Sequence, residues 1–350
     1  MPTRLSRREF MRLCAGSAAG IAMSGLLAPY LAEAAEAGLP PVIWIQGASC
    51  TGCAVSLLNT VHPDIENVLL KIISLRYQPN VMAAAGDLAI NEALFKTAAE
   101  NKGKFYLVVE GAVPTGADGL FCTVGERDGK PITFTSMLAE LASQAAAVLN
   151  FGTCSCFGGI PAADPNPTGC VSVPEFLKGK NITMINVPGC PPHPDWMVGT
   201  IAQVLLYGLP EVDTFGRPTM FFGRMIHDNC ERRQYFDNGI FAEKFGDPGC
   251  MLQLGCKGPL AYCDASTRGW NNGVNWCVRC GGTCVGCTDP EFPNWTMYER
   301  MSELAAWPTI SASADTIGLV LGAATALGIG GHLAGNVFAG RFKGKPHEEE

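Results

Sequence analysis

Four cysteines stand just past the ends of apolar, strand-like runs. Val42-Ile43-Trp44-Ile45 leads to Cys50-Thr51-Gly52-Cys53, and Ala147-Val148-Leu149 leads to Gly152-Thr153-Cys154. Ile182-Thr183-Met184-Ile185 leads to Pro188-Gly189-Cys190-Pro191-Pro192, while a further run, Phe105-Tyr106-Leu107-Val108-Val109, ends without a thiol. Runs of this kind alternating with helical stretches specify a parallel, doubly wound sheet. Such sheets gather ligands outside the carboxyl ends of their strands, where strand order reverses. Four thiolates converging there would form one metal site, and an all-cysteine shell of four is the usual one for a [4Fe-4S] cluster.

The 350 residues leave room for two domains, and 16 cysteines exceed what a soluble enzyme uses for packing. The chain is too long for a small disulfide scaffold, and its Cys-x-x-Cys pairs point to metal. A formal net charge of −7 gives no support for nucleic-acid binding. The 41 glycines and 24 prolines fit loops that wrap cofactors. None of the glycine-rich loops resembles a nucleotide site, since no Gly-x-Gly-x-x-Gly or Walker sequence follows a strand.

Both ends of the chain read as addresses or anchors. Ser6-Arg7-Arg8-Glu9-Phe10-Met11-Arg12 precedes an apolar, Ala/Gly-rich stretch from Leu13 to about Leu31, with small residues offering cleavage after Ala34 or Ala37. This is the pattern of a twin-arginine export signal over 1–37, a route that carries folded proteins with their cofactors in place. At the other end, Thr316 to Gly340 contains no Asp, Glu, Lys or Arg. As a helix rising about 1.5 Å per residue it spans a hydrocarbon core of roughly 30 Å. Arg341, Lys343 and Lys345 follow, so the positive-inside rule places the tail, 341–350, in the cytoplasm and the body on the periplasmic face. The alternative is a buried amphipathic helix. His332 lies within this stretch, as a haem ligand, a partner contact or a polar helix–helix contact.

From Gly223 to Pro293 the strand pattern stops, and Cys, Gly, Asn and Trp crowd together. A second domain with little core of its own, held by metal sites, fits this composition. His227-Asp228-Asn229-Cys230, Cys250 and Leu254-Gly255-Cys256 form one set of donors. Asn275-Trp276-Cys277, Cys280, Cys284 and Cys287 form another.

In these motifs the chain resembles the small, electron-transferring subunit of nickel-iron hydrogenases, near the membrane-associated and nickel-iron-selenium-like branches. Cys-Thr-Gly-Cys, Gly-Thr-Cys-x-x-x-Gly-Gly at 152–159, Pro-Gly-Cys-Pro-Pro at 188–192 and His-x-x-Cys at 227–230 occur together and in family order. The resemblance covers about Pro41 to Pro293. It implies a flavodoxin-like domain over 38–222, then an irregular iron-sulfur domain over 223–310, a transmembrane helix over 316–340 and a separate large subunit carrying the nickel-iron centre. It also implies three iron-sulfur clusters. The proximal [4Fe-4S] cluster falls to Cys50, Cys53, Cys154 and Cys190, and the distal [4Fe-4S] cluster to His227, Cys230, Cys250 and Cys256. The medial cluster falls to Cys277, Cys284, Cys287 and a fourth ligand.

The medial set departs from the family. Cys277 stands where many members have Pro and hold a three-iron cluster, which favours a complete [4Fe-4S] cluster here. The position that usually supplies the fourth cysteine is Ala265. Cys263 lies two residues early in the same loop and is preferred, with Cys280 as the alternative and a three-iron cluster with a spare thiol as a further one. Oxygen-tolerant relatives carry two extra cysteines near the proximal cluster. Gly52 and Gly159 occupy those positions, implying an ordinary cluster and an oxygen-sensitive enzyme. Cys122, Cys156 and Cys170 have no assigned role.

The implied function is that of an uptake hydrogenase subunit, passing electrons from dihydrogen oxidation to a membrane quinone-linked partner or a periplasmic cytochrome. Glu110 is expected either at the subunit interface in proton transfer or as a helix cap. His193 and Asp195 are expected to support Cys190 or simply to adjoin it, and Trp270, Trp276 and Phe292 to shield clusters from water. Two rivals are distinguishable. An electron-transfer subunit of another respiratory oxidoreductase would show the first four cysteines without the His-x-x-Cys region or the export signal. A non-redox protein would use the cysteines for zinc or disulfides.

Overall fold

The computed structural model describes residues 39–295, 297–299, 304–307, 310–312 and 314–339. The export signal with its cleavage positions, Gly340 and the basic tail at Arg341, Lys343 and Lys345 lie outside the described residues. The chain divides into two compact units, one reaching Tyr298 and the other beginning at Glu299.

The first unit is built on five parallel strands: β1 (Pro41–Gln46), β2 (Ser74–Tyr77), β3 (Tyr106–Glu110), β4 (Ala147–Phe151) and β5 (Met184–Val187). Their order, β2-β1-β3-β4-β5, is the flavodoxin-like one. The four apolar runs are β1, β3, β4 and β5. The edge strand β2 was not legible, because Ser74-Leu75-Arg76-Tyr77 is half exposed and has no continuous apolar run.

Four helices matter for the sites: α1 (Gly52–Leu58), α2 (Phe134–Ala142), α3 (Thr153–Phe157) and α4 (Pro194–Tyr207). Side chains alternate across the sheet, so each apolar run feeds two cores. Val42, Trp44, Val108, Leu149, Phe151, Ile185 and Val187 pack with Trp196, Met197 and Ile201 of α4. Ile43, Ile45, Leu107, Val109 and Val148 pack with Phe134, Leu138 and Leu141 of α2. Thr133 caps α2, its hydroxyl accepting from Ser136 N, and Pro194 opens α4 after His193.

Strand order reverses between β1 and β3, so Cys50, Cys53 and Glu110 meet at the switch point. After Gly223 regular structure shrinks to short helical turns at Ile226–Asn229, Arg233–Asp237, Met251–Leu254 and Ala265–Arg268. Buried residues of this region, among them Cys263, Ala265, Trp276, Val278 and Cys284, join the core on the α4 face of the sheet.

In the second unit, Leu304–Trp307 pairs antiparallel with Ile310–Ala312, and α5 (Ala314–Phe338) follows. Its Thr316–Phe338 portion is long and apolar enough to cross a membrane, and none of it is buried. His332 Nε2 is 2.9 Å from Asn336 Nδ2, one turn on.

Candidate metal centres

Cys50 and Cys53 enter the first site from the loop after β1 and the start of α1, Cys154 from α3 after β4, and Cys190 from the loop after β5. Glu110, fully buried at the end of β3, organises the mouth of this site. Its Oε1 accepts from Cys53 N and Ser49 Oγ, both at 3.1 Å. Its Oε2 accepts from Trp44 Nε1 at 3.0 Å and Gln46 Nε2 at 2.8 Å. The carboxylate therefore caps the first turn of α1, with each strong acceptor direction used. Gly152 makes the close approach of β4 possible. Its φ is 96°, and a Cβ there would lie 2.4 Å from Cys53 Sγ.

Burial raises the Cys53 thiol well above its ordinary value, and Glu110, Cys154 and Cys50 add like charge. Burial pushes Cys154 up to about 12, with Cys190 as the next cause. Burial and Cys50 raise Cys190. Thiols this buried and this mutually repulsive ionise together only against a multivalent cation, which is what a metal cluster provides. Among the described residues, no three His, Cys, Asp or Glu donors close round a single ion.

The second site gathers Cys263, Cys284 and Cys287 with Cys277. Burial, then Cys287, lifts Cys263 well above the ordinary thiol value, and Cys277 adds to it. Burial, then Cys263, does the same for Cys284. Burial pushes Cys287 up to about 12, with Cys277 and Cys190 contributing. Cys277 is an exposed residue whose sulfur is nevertheless hemmed in, and burial raises it ahead of Cys280. Cys280 is exposed, whereas Cys263 is buried among the set. Ala265 opens the short helix Ala265–Arg268 and offers no donor.

The third site brings together His227, Cys230, Cys250 and Cys256. Burial raises all three thiols, Cys256 acting on Cys230 and Cys250. His227 is 6% exposed, and its Nε2 is buried with no hydrogen-bond partner. Burial and Arg233 lower its pKa, keeping the ring neutral as a ligand must be. Phe236 lies edge-on at 4.8 Å between ring centroids. The third and second sets adjoin in space, for Lys257 N donates to Cys284 O at 2.7 Å, joining their loops.

Side chains beyond the cysteines hold these loops. His193 Nδ1 accepts from Asp195 N at 3.0 Å, which leaves Nε2–H to donate to Gly269 O at 2.8 Å. Asp195 and Asp264 share Arg268, and Trp196 Nε1 donates to Asp264 at 2.7 Å. His193 and Asp195 thus grip the loop after Cys263 rather than Cys190. Trp270 packs at a tilt of 53° against His193, 4.7 Å between ring centroids, within this same grip. Nothing in the sequence singles out Arg217, Asp264 or Arg268, and the one signal for Thr153 is its place within Gly-Thr-Cys.

Residues 222–299 match the family model for the C-terminal part of the NiFe/NiFeSe hydrogenase small subunit, and 50–204 match that for the 20 Kd subunit of NADH ubiquinone oxidoreductase. The periplasmic [NiFeSe] hydrogenase small subunit of Desulfomicrobium baculatum is 47% identical over 306 residues, 83% of this chain and 96% of the relative. The chain belongs to the nickel-iron hydrogenase small subunits. The uptake hydrogenase small subunit of Azotobacter vinelandii is 39% identical over 338 residues, 94% of this chain and 92% of the relative. The solved [NiFeSe] hydrogenase of Desulfovibrio vulgaris Hildenborough superposes with a TM-score of 0.72 at 47% identity, covering 75% of this chain and 98% of that one. An actinobacterial-type NiFe-hydrogenase from Ralstonia eutropha H16 gives 0.69 at 29% identity, covering 89% and 93%. The 20 Kd model stops short of His227, where the hydrogenase model takes over, and this separates the chain from the respiratory rival. The chain is a hydrogenase small subunit with an electron-transfer role, and the catalytic site lies on the large subunit.

Proposed function

We propose that this subunit holds three iron-sulfur clusters in series and passes electrons from dihydrogen oxidation at the large subunit to an external acceptor. Small subunits of this family carry iron-sulfur clusters. The reading rests on the sorting of twelve donors into three sets of four. Cys50, Cys53, Cys154 and Cys190 hold the proximal [4Fe-4S] cluster. Cys263, Cys277, Cys284 and Cys287 hold a complete medial one. His227, Cys230, Cys250 and Cys256 hold the distal one. Cys190 acts on Cys287, and Cys256 acts on Cys284 and Cys277, which supports the order proximal, medial, distal.

The bound clusters supply one-electron carriers, and the protein's work is to place them and set their potentials. Burial of Cys53, Cys263 and Cys284 lowers the local dielectric and keeps water out. Gly52 N donates to Cys50 Sγ and Arg232 N to Cys230 Sγ, each at 3.4 Å, and such contacts stabilise the more negative state of a site. A neutral His227 makes the distal site less negative than an all-thiolate one.

Membrane attachment through α5, export by the twin-arginine route and a cytoplasmic tail complete the reading. They rest on the apolar span Thr316–Phe338, the Arg7-Arg8 motif and the basic residues after Gly340. Relatives described as periplasmic and uptake hydrogenase subunits support it. The acceptor is a quinone-linked membrane partner or a periplasmic cytochrome.

Iron, sulfide and low-temperature EPR on the anaerobically purified complex test the reading. About twelve irons on this subunit, with no oxidised three-iron signal, are expected for three complete clusters. A near absence of iron would refute it. Cys263→Ser should cost the medial site its fourth iron, whereas Cys280→Ser should not. The reverse result would move the ligand to Cys280.

A further inference from the structure

Thr153 sits between two sulfur sites rather than within either. It is 1% exposed and opens α3 immediately before Cys154. Its N–H donates to Gly189 O at 3.0 Å, and its hydroxyl accepts from Gly189 N at 2.9 Å. This two-way clasp holds the residue before Cys190. Because the Gly189 N–H can only donate, the hydroxyl proton must go elsewhere, and it goes to the backbone carbonyl of Cys287.

The partners are themselves fixed. Gly189 has a φ of 146°, and a Cβ there would lie 2.5 Å from Pro192 Cα, so that loop has one workable shape. Buried Arg217 donates from Nη1 to Thr288 O at 3.0 Å. The Thr288 hydroxyl donates to Tyr262 O at 3.1 Å, next to Cys263. One hydroxyl therefore ties the backbone beside Cys154 and Cys190 to that of Cys287.

We propose that Thr153 is a positioning residue for the electron step between the proximal and medial sites, its hydroxyl fixing how the Cys154 and Cys190 loops sit against the Cys287 loop. The proposal rests on the ligand assignment above. The step moves one electron, with no bond formed or broken and no proton transferred. Its rate depends on how far apart, and how rigidly, the two donor sets are held. Valine at this position keeps the shape but leaves the Gly189 N–H and the Cys287 carbonyl unpaired in a buried setting, so both loops must shift to find partners.

The test uses the purified heterodimer with Thr153→Val and Thr153→Ser. Three quantities are read: iron content, the EPR spin–spin interaction between the first two clusters, and the ratio of dihydrogen-driven dye reduction to hydrogen–deuterium exchange. Exchange needs no electron to leave the large subunit, so the ratio isolates the relay. Thr153→Val should alter the spin–spin interaction and lower the ratio. Thr153→Ser should restore both. A valine variant with full iron and both readouts unchanged overturns the proposal. Loss of iron in Val with recovery in Ser supports the hydroxyl's role, while equal loss in both shows that methyl packing holds the loops and overturns it. Wild-type protein lacking iron would sink the ligand assignment itself.

Discussion

Arg268→Met removes the cation that joins α4 to the loop after Cys263. Arg268 Nη2 lies 2.6 Å from Asp264 Oδ2, and Nε lies 3.0 and 3.2 Å from the two Asp264 oxygens. Nη1 lies 3.0 Å from Asp195 Oδ2, and the guanidinium sits 5.3 Å from the Phe221 ring centroid. Side-chain exposures are 4% for Arg268, 11% for Asp264 and 19% for Asp195, so water screens the group weakly. Methionine matches the packing but strands two carboxylates together, and breaking such a buried pair costs about 3–5 kcal/mol. At about 2–4 °C per kcal/mol for a domain of this size, the apparent melting temperature should fall by roughly 6–20 °C. Thermal scans of the heterodimer by tryptophan fluorescence, at one fixed protein concentration, read this directly. Arg268→Lys should fall between, since a point charge cannot serve both Asp264 oxygens and Asp195. Adding Asp264→Asn to Arg268→Met should recover part of the loss by removing one stranded charge. A fall under about 2 °C would refute the reasoning, for it would mean that the shared apolar core alone holds the loop.

Other perturbations follow from the same geometry. Glu110→Gln must turn its amide NH2 toward one pair of donors; Ser49 or Gln46 can reorient, but Cys53 N–H or Trp44 Nε1–H cannot. One buried donor is then stranded, and chemical denaturation should show a loss of about 1–3 kcal/mol. Gly152→Ala would drive a Cβ to within 2.4 Å of Cys53 Sγ at a φ of 96°, so the purified subunit should lack about four irons while keeping the other sites. Burial lowers the pKa of His193, so the folded ring resists protonation while the unfolded one does not. Its contribution is whole above about pH 6.5 and is lost as pH falls, by up to about 1.4 kcal/mol per unit until the folded ring also protonates. His193→Gln keeps a donor for Gly269 O and should flatten the slope of denaturation midpoint against pH below 6.5; an unchanged slope would assign it to His227 or to carboxylates.

The central strands were legible because a strand buried on both faces must be apolar throughout, and Val42–Ile45 or Phe105–Val109 announce themselves that way. Edge strand β2 had no such run. The thiol-rich segments were legible from spacing, since Cys-x-x-Cys and His-x-x-Cys are short-range patterns, whereas the grouping of distant thiols such as Cys190 or Cys256 into sets was implied by the family resemblance. The choice between Cys263 and Cys280 was less legible, because burial among Cys284 and Cys287 is a property of the folded loop. Thr153, Arg217 and Arg268 act through backbone carbonyls or through carboxylates distant in sequence, and a contact to a carbonyl leaves no mark on the identity of the residue that owns it. Glu110 had two readings in sequence, and four convergent donors favour the cap.

The region after Gly223 shows why a protein of this kind spends so many cysteines. Its helical turns are four or five residues long, too short to hold together by backbone hydrogen bonding alone. Its buried apolar residues, Trp276 and Val278 among them, are part of the sheet's core rather than a core of their own. Hydrogen bonds within the region, such as Arg232 Nη1 to Gly249 O, are joined in ordering the loops by contacts that cross to the first domain, from Thr153, His193, Asp195 and Arg217, and by the metal. The donors converge only in the folded loops, so part of the binding energy of the clusters is folding energy of these loops. Removing iron should therefore loosen 223–293 while leaving the sheet in place, because β1, β3, β4 and β5 bury their apolar side chains without it. Hydrogen exchange on the iron-depleted subunit reads the two regions separately. Fast exchange confined to the loops is expected, and equal protection in both would show that the crossing contacts suffice without metal.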